Sequence, residues 1–322
     1  MNLVTTSSPH IRGTERTDKI MKDVIIALLP TTAAGVYFFG MRALLVVFVS
    51  VVSAMIGESA WRLITRKDVT IMDGSAAVTG LLLALTLPAS VPFWVAAFGS
   101  LFAVIVAKGI CGGLGQNTFN PALAGRALLI LVCPVYLTRY LAAGTKLSLK
   151  VPVDALTGAT PLHEMVMGEL PEASLMDMFI GNIGGCIGEV SAFALLIGGA
   201  YLVVKKVISP RIPVAYLGTI AVLTLVFANG ESPIEWMIYS ILGGGVMLGG
   251  LFMLTDYASS PVTPKGQIVY GIGAGALTVL FRYKGLFPEG VTYAIILMNA
   301  LAWFIDEHTR PRRFGTQKGG VR

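Results

Sequence analysis

Long apolar windows follow one another along almost the whole chain, and they constrain the fold more than any other feature of the sequence. Hydrophobic residues occupy 55% of the 322 positions and charged residues only 13%, whereas a soluble domain carries about 25% charged residues. A bilayer core of about 30 Å takes roughly 20 apolar residues per helical span. The windows therefore predict an all-α polytopic membrane protein with about ten transmembrane helices. The candidate spans are 23–39, 41–61, 74–90, 92–107, 122–138, 188–204, 212–228, 234–254, 267–281 and 290–305.

The basic residues form short clusters between these windows, so the net charge of +6 indicates membrane topology and not a nucleic-acid surface. A cytoplasmic N-terminus places 17 of the 24 Lys and Arg residues on the cytoplasmic side. Loops rich in Lys and Arg stay on that side of the membrane. No cleaved signal peptide is expected, because no short apolar stretch with a cleavage site precedes the first span. The sequence predicts a multi-pass protein of the bacterial or archaeal cytoplasmic (inner) membrane with both termini in the cytoplasm.

The longest predicted loop, 139–187, would then lie outside the cell and separate five spans from five. This division predicts three regions: a cytoplasmic N-terminus with the first five helices (1–138), the external loop (139–187), and five further helices with a cytoplasmic C-terminus (188–322). Two inverted five-helix repeats are the corresponding architecture. Weak internal similarity favours it, since Asp73 opens the third span and Asp256 leads into the ninth.

Cysteine and histidine patterns argue against metal and haem sites within this chain. Cys111, Cys133 and Cys186 lack the close spacing of an iron–sulfur or zinc motif. The three histidines all lie outside the apolar windows, so a haem held by paired histidines in the membrane is not expected. The sequence predicts neither a metal site nor a catalytic residue.

The external loop contains the string Asp154-Ala155-Leu156-Thr157-Gly158-Ala159-Thr160-Pro161-Leu162. Gly158 and Ala159 leave room for another backbone to approach, and Pro161 favours an extended conformation at Thr160. A hydroxyl presented in this way could accept a phosphoester. From the residues alone, a commoner structure for such a string is a turn before a helix that starts near Leu162, with Pro161 in its first turn.

A glycine-rich segment precedes the fifth span and reads Gly112-Gly113-Leu114-Gly115-Gln116-Asn117-Thr118-Phe119-Asn120-Pro121-Ala122. Backbone amides and the side-chain amides of Asn117 and Asn120 could hold a polar ring such as a noncovalent isoalloxazine. The alternative is a re-entrant turn that satisfies its own backbone at the membrane edge.

Charged residues in or near the spans are few: Glu58, Lys108, Arg126, Glu189, Asp256 and Asp306. A charge at the bilayer centre costs roughly 2.5–3.5 kcal/mol on insertion scales, so each is expected to face the bundle interior or an interface. Arg126 is the strongest candidate for an internal role. It could pair with a carboxylate, contact a flavin, or extend its guanidinium to the surface.

The string in the external loop resembles the Asp-x-x-Ser/Thr-Gly-Ala-Thr motif at which a flavin transferase links FMN, through its phosphate, to the final threonine. With ten spans, a flavin loop after the fifth and the glycine-rich segment before it, the chain is similar almost end to end to one family. That family contains the D subunit of the Rnf electron-transport complex and the B subunit of the sodium-translocating NADH:quinone reductase. The longer N-terminal extension usual in the quinone-reductase relative is absent here, so the chain resembles the Rnf relative more closely.

This resemblance implies a membrane redox subunit of a Na+- or H+-translocating ferredoxin:NAD oxidoreductase complex. It implies FMN bound covalently to Thr160, and a second, noncovalent flavin, riboflavin, elsewhere in the chain. The residues that would recognise or hold these flavins are Asp154, Thr157, Gly158, Ala159, Thr160, Asn117, Asn120 and Arg126. The implied partners are flavin- and iron–sulfur-bearing Rnf subunits, a flavin transferase and membrane lipid. A urea-channel-like solute channel or transporter and a scaffold for redox subunits are the alternatives.

Overall fold

The computed structural model describes residues 16–66, 73–113, 115–141, 160–228, 232–284 and 290–311. Regular secondary structure in these ranges is helical, and Pro88 and Cys186 form an isolated antiparallel bridge. Four of the predicted flavin-loop residues, Asp154, Thr157, Gly158 and Ala159, lie outside the described residues. The helices are α1 (Thr17–Phe39), α2 (Met41–Ile64), α3 (Ser75–Leu85), α4 (Phe93–Phe102, continued as a π-helix over Ala103–Ile110), α5 (Pro121–Val132), α6 (Pro134–Leu137), α7 (Pro161–Val166), α8 (Leu175–Ile180), α9 (Ala192–Val204), α10 (Arg211–Val226), α11 (Pro233–Leu242), α12 (Val246–Leu248, continued as a π-helix over Gly249–Met253), α13 (Pro264–Lys284) and α14 (Val291–Thr309).

Helix occupies part of every predicted apolar window, and the chain has the helices of a membrane protein. Three helices in the described ranges are long and apolar enough to cross a membrane: α1, α2 and the continuous helix Phe93–Ile110. A fourth candidate is the pair α11 and α12, whose axes differ by 63°. Because α3, α5, α9 and α10 are shorter apolar helices, the ten spans and their inverted repeat stay a prediction.

Prolines that interrupt the apolar windows have different effects on the helices. Thr86 follows α3 and donates its hydroxyl to the Leu83 carbonyl at 2.7 Å, and the bridging residue Pro88 lies just beyond. Pro134 starts α6 after a break at Cys133. Pro30, in contrast, lies inside the continuous helix α1. A proline removes one backbone hydrogen-bond donor in either case. The position of a proline in the sequence therefore does not by itself show whether the helix ends there or continues through it.

Two groups of helices pack around the core. The first group brings α3 and α4 against α2, and the second brings α11 and α13 against α10. The groups meet where α1 packs against α9 and where α5 packs against α14. Close packing of α10 with α13 depends on small residues, because a Cβ on Gly271 or Gly275 would lie 2.9 Å from a carbonyl oxygen of α10.

Loops that the sequence places outside the membrane meet at one end of the molecule, here called the outer end. Arg42 at the start of α2 donates to the carbonyl oxygens of Ala89 at 3.0 Å and of Val91 at 3.1 Å. The hydroxyl of the neighbouring Ser90 donates to the Arg139 carbonyl at 2.7 Å. Arg42 was predicted to lie in an external loop, but it is buried, because its guanidinium satisfies carbonyls in the segment between α3 and α4.

Loops that the sequence places in the cytoplasm meet at the opposite end, here called the inner end. Lys108 in the first π-helical segment donates to the Ser75 hydroxyl at 2.6 Å. Tyr257, after the second π-helical segment, donates its hydroxyl to the carbonyl of Val207, which follows α9. Lys108, Val207 and Tyr257 line one cleft together with Asn117 and Asn120, so the glycine-rich segment that precedes α5 belongs to the inner end.

Candidate functional site

Two irregular segments meet beside the end of α3. The Ile187 amide donates to the Leu87 carbonyl at 3.0 Å, and the Gly188 amide donates to the Leu85 carbonyl at 2.7 Å. A Cβ on Gly188 would lie 2.6 Å from the Leu85 Cβ, so this approach requires glycine. In a membrane protein, non-helical backbone at depth is tolerated where it is buried in protein or lines a cavity. The segment before α9 is thus fixed deep inside the bundle.

Arg126 and Glu189 form an ion pair at this crossing. Arg126 comes from the second turn of α5 and is 4% exposed, and Glu189 comes from the segment before α9 and is 7% exposed. One guanidinium nitrogen lies 3.4 Å from the Glu189 carboxylate and donates to the Thr86 carbonyl; the other lies 3.8 Å from the Cys186 sulfur. Of the three alternatives for Arg126, the structure shows the carboxylate partner. The guanidinium is buried and does not reach the surface.

Thr160 lies at the edge of a cavity near the outer end, here called the outer cavity. Its backbone is extended, with φ −80° and ψ 150°, and its hydroxyl oxygen accepts a hydrogen bond from the His163 amide at 3.3 Å. Helix α7 begins at Pro161, directly after it, as the turn-and-helix interpretation predicts. The rest of the lining comes from Pro161, Leu162, Ile183, Gly184, Gly185, Glu189, Gly243 and Gly244.

Arg282 from α13 holds the wall of the outer cavity. Its guanidinium donates to the carbonyls of Ser240 at 2.6 Å and of Gly243 at 2.8 Å, where α11 ends. Gly244 has φ +60°, and a Cβ there would lie 3.0 Å from the same guanidinium. The sequence placed Arg282 in an external loop, but α13 extends past it and buries it, because the carbonyls at the end of α11 need donors. In the sequence, the three consecutive glycines 243–245 indicate the break between α11 and α12.

Asn117 and Asn120 lie together at the inner end, where they line a cleft that is open to the outside of the bundle. We call this the inner cleft; Lys108, Ser75 and Asp256 also line it. The Asn117 side-chain oxygen is buried and has no hydrogen-bond partner among the described residues. Arg126, predicted together with the two asparagines, does not line the cleft. It is two turns further along α5.

Asn120 connects the inner cleft to the middle of the bundle. Its side-chain oxygen caps α5 by accepting from the Ala122 amide at 3.0 Å and from the Leu123 amide at 3.4 Å. Its side-chain nitrogen donates to the Met253 carbonyl at 3.3 Å. The N-terminus of α5 is thereby tied to the second π-helical segment.

The inner cleft also contains charged groups. The Lys108 ammonium lies 2.7 Å from the Glu58 carboxylate, and both side chains are almost completely buried. Burial raises the pKa of the Asp256 carboxyl, and a hydrogen bond from Ser259 opposes that effect. Asp256 therefore keeps a proton to a higher pH than an exposed aspartate does.

A central cavity lies between the outer cavity and the inner cleft. Its lining includes Thr86, Arg126, Glu189 and Met253. Glu189 lines both the outer and the central cavity, and Met253 binds Asn120 of the inner cleft. Polar groups therefore follow one another through the bundle, from Thr160 at one end to the two asparagines at the other.

Comparison with known proteins identifies the family. The family model described as the NQR2, RnfD, RnfE family matches residues 4–315. The chain is 47% identical to the D subunit of the Na(+)-translocating ferredoxin:NAD(+) oxidoreductase complex of Acetobacterium woodii, with 99% of this chain and 97% of the relative covered. It is 43% identical to the D subunit of the proton-translocating ferredoxin:NAD(+) oxidoreductase complex of Clostridium ljungdahlii, with 97% and 96% covered.

A more distant relative gives the same assignment. The D subunit of the ion-translocating oxidoreductase complex of Stutzerimonas stutzeri is 36% identical, with 94% of this chain and 93% of the relative covered. These matches span nearly the whole of each protein and agree with the resemblance seen in the flavin-loop string and the glycine-rich segment. The chain belongs to the NQR2, RnfD, RnfE family.

Proposed function

We propose that this chain is the membrane redox subunit of an ion-translocating ferredoxin:NAD oxidoreductase complex. In this proposal it carries FMN on Thr160 and a noncovalent flavin, riboflavin, in the inner cleft. The observation that carries the proposal is the line of cavities between these two places, with buried polar groups at each step. When bound, the flavins supply one- and two-electron redox chemistry, and the chain positions them and keeps water away from the space between them.

The position of Thr160 is compatible with a phosphoester on its hydroxyl. The threonine is extended and lies at the cavity edge, so its hydroxyl oxygen can carry a phosphoester without a change of backbone conformation. Gly184 and Gly185 form part of the lining and present no side chain to the attached group. Asp154, Thr157, Gly158 and Ala159 keep their predicted role in recognition by a flavin transferase.

The inner cleft fits the polar edge of a noncovalent flavin. An isoalloxazine edge offers both an N–H donor and carbonyl acceptors, so it needs both kinds of partner. The unpaired side-chain oxygen of Asn117 would accept from the ring, and the Asn117 amide nitrogen and the Lys108 ammonium would donate to it. Asn120 would hold the floor of the cleft, because its side chain is already bound to α5 and to Met253.

The complex supplies what this chain lacks. Its sequence contains neither a nicotinamide-binding motif nor closely spaced cysteines, so other Rnf subunits with flavins and iron–sulfur centres would deliver and remove the electrons. The relatives from A. woodii and C. ljungdahlii belong to sodium- and proton-translocating complexes respectively, and both resemble this chain closely. The transported ion is therefore Na+ or H+. The chain would lie in the cytoplasmic membrane with the inner end and both termini in the cytoplasm.

Fluorescence of the denatured protein tests the covalent flavin. Flavin fluorescence should survive denaturing electrophoresis of the wild-type chain expressed with a flavin transferase, and Thr160→Ala should abolish it. Thr157→Ser is the matched control, because the motif accepts either hydroxyl there. An FMN-sized adduct on a peptide residue other than Thr160 would refute the assignment. A purified chain that has no flavin but conducts a small solute would favour the channel alternative.

Acid extraction tests the noncovalent flavin. Asn117→Ala should lower the amount of extractable flavin per chain while leaving the fluorescence of the denatured protein unchanged. Asn182→Ala is the control, since Asn182 is an exposed amide outside the inner cleft. If the purified wild-type chain contains no extractable riboflavin or FMN, the inner site is wrong.

A further inference from the structure

Helix α8, between α7 and α9 in the chain, has an inward face and a polar face. Met178 is completely buried, and a Cβ on Gly243 would lie 3.3 Å from its terminal methyl group. Ser174 caps the helix: its hydroxyl oxygen accepts from the Asp177 amide at 3.1 Å, and the hydroxyl donates to the Asp177 carboxylate at 2.6 Å. Successive residues of an α-helix are about 100° apart, so Asp177 and Met178 point in different directions.

The third face of α8 is apolar and exposed. Met176 and Ile180 are one turn apart on the same side of the helix, and their exposed fractions are 65% and 53%. They lie nearly opposite Met178, because a separation of two residues corresponds to about 200°. Apolar side chains therefore lie on two opposite sides of α8, and the exposed pair needs an apolar partner.

This apolar face continues onto α9. Phe179, beside Ile180, packs against Phe193 of α9, and the ring centroids are 5.6 Å apart. Phe193 and Ile197 are again one turn apart, and their exposed fractions are 52% and 45%. Helix α9 is apolar and packs against α1, so this exposed stripe lies on the outside of the bundle. The exposed face of α8 extends the stripe beyond the first turn of α9.

The length of α9 places α8 at the membrane boundary. Its 13 residues span about 20 Å, whereas the hydrocarbon core is about 30 Å thick. The exposed residues Lys205 and Lys206 follow directly after α9 and mark the inner boundary of the hydrocarbon. The remaining 10 Å or so of hydrocarbon therefore lies beyond the other end of α9, where α8 packs.

We propose that acyl chains of the bilayer leaflet at the outer end cover the Met176 and Ile180 face of α8, and that this helix is an interfacial anchor. A helix of this kind lies in the plane of the membrane surface with its apolar side in the acyl boundary. The three faces of α8 then contact protein, water and lipid, which meet at the membrane surface. The inference uses the membrane location of the chain and does not require a flavin.

The anchor would set the depth of the helix break beside the outer cavity. Met178 lies against this break at Gly243, and a Cβ on Gly244 would lie 2.9 Å from the Leu162 side chain of α7. Helix α7 begins directly after Thr160. Contact between α8 and lipid therefore holds Thr160 near the membrane surface.

Photocrosslinking tests what covers this face. Benzoylphenylalanine is placed at Met176 in the purified complex, which is reconstituted in vesicles of phosphatidylethanolamine and phosphatidylglycerol, and the mass of the chain is measured after irradiation. The benzophenone group forms bonds with the C–H groups that it touches, and water leaves it without an adduct. The same probe at Ile197 is the reference for the exposed stripe of α9. At Glu172, an exposed polar residue just before α8, it is the matched control.

Adducts with the mass of one phospholipid at Met176 support the inference, if their yield is close to that at Ile197 and several-fold above that at Glu172. A crosslink from Met176 to another subunit, or to another segment of this chain, overturns it, because protein then covers the face. A chain without an adduct at Met176, when Ile197 forms one with lipid, also overturns it, because the face is then in water. If the chain with the probe at Met176 does not assemble, Ile180 provides a second position on the same face, and the same outcomes decide.

Discussion

Replacing Lys108 by methionine should destabilise the protein strongly, because Lys108 is the central member of a buried polar cluster. Its ammonium lies 2.7 Å from the Glu58 carboxylate and 2.6 Å from the Ser75 hydroxyl. Lys108 is 2% exposed and Glu58 is 4% exposed, so water does not replace the lost contacts. The second carboxylate oxygen of Glu58 already has no hydrogen-bond partner among the described residues.

The expected loss of stability follows from the Glu58 carboxylate, which the substitution leaves buried without its Lys108 partner. Removing one partner of a buried pair costs about 3–5 kcal/mol, because the other charge stays buried. Arg62 reaches the same Glu58 oxygen at 3.4 Å and is itself only partly exposed, so the lower part of that range is expected, about 3 kcal/mol. The double variant Glu58→Gln/Lys108→Met removes both charges and should recover most of the loss.

Equilibrium unfolding of the purified protein in mixed micelles with increasing SDS measures these free energies. Lys265→Met is the matched control, because Lys265 is exposed at the start of α13 and should change stability by less than about 0.5 kcal/mol. A loss below about 1 kcal/mol in Lys108→Met would refute this reasoning, since that is the range of surface pairs. If the double variant is no more stable than Lys108→Met, the unpaired charge of Glu58 is not the cause of the destabilisation.

Asn120→Ala should lower the free energy of unfolding by about 1 kcal/mol, because it removes the α5 cap. Asn120→Asp keeps a side-chain oxygen that can cap the helix and should lose much less stability; equal losses for the two variants in the SDS titration would contradict the capping role. Gly275→Leu should separate α10 from α13, since its first side-chain atom already meets a carbonyl at 2.9 Å, and a wild-type unfolding midpoint would count against that contact. Gly244→Ala places a Cβ at φ +60° against Arg282 and should cost roughly 1 kcal/mol or more, whereas an unchanged midpoint would show that the turn adapts. A cysteine at Lys146 should react with an impermeant thiol reagent from outside the cell, and labelling from the cytoplasm would reverse the predicted topology.

Each apolar window contains part of a helix in the structure. Such windows can be read from the sequence because a run of about 20 apolar residues is a local feature of the chain. The breaks were harder to predict. Pro88 lies beyond the end of a helix and Pro30 lies within one, although both interrupt apolar windows. What separates them is the surrounding contact: the backbone next to Pro88 binds the segment before α9, and the sequence does not show this partner.

The candidate site was predictable in its residue types but not in its pairings. Arg126 and Glu189 both stand out as rare charges in an apolar chain, yet 63 positions separate them, and no periodic pattern relates two such residues. Arg42 and Arg282 were assigned to loops because they lie near span ends. Each is buried because its guanidinium binds carbonyls at a helix break, which becomes visible only once the breaks are known.

The two π-helical segments constrain how this chain can change its length during evolution. At the end of each segment, a backbone hydrogen bond joins residues five positions apart: the Gly113 amide donates to the Lys108 carbonyl, and the Leu254 amide donates to the Gly249 carbonyl. A π-turn holds about one residue more than an α-turn, so loss of one residue from such a segment yields an ordinary α-helix and leaves the helix on either side in nearly the same orientation. Loss of one residue from an α-helix elsewhere in the bundle turns everything on one side by about 100°. Single-residue changes of length should therefore be tolerated better at 103–110 and 249–253 than within the α-helices packed around them.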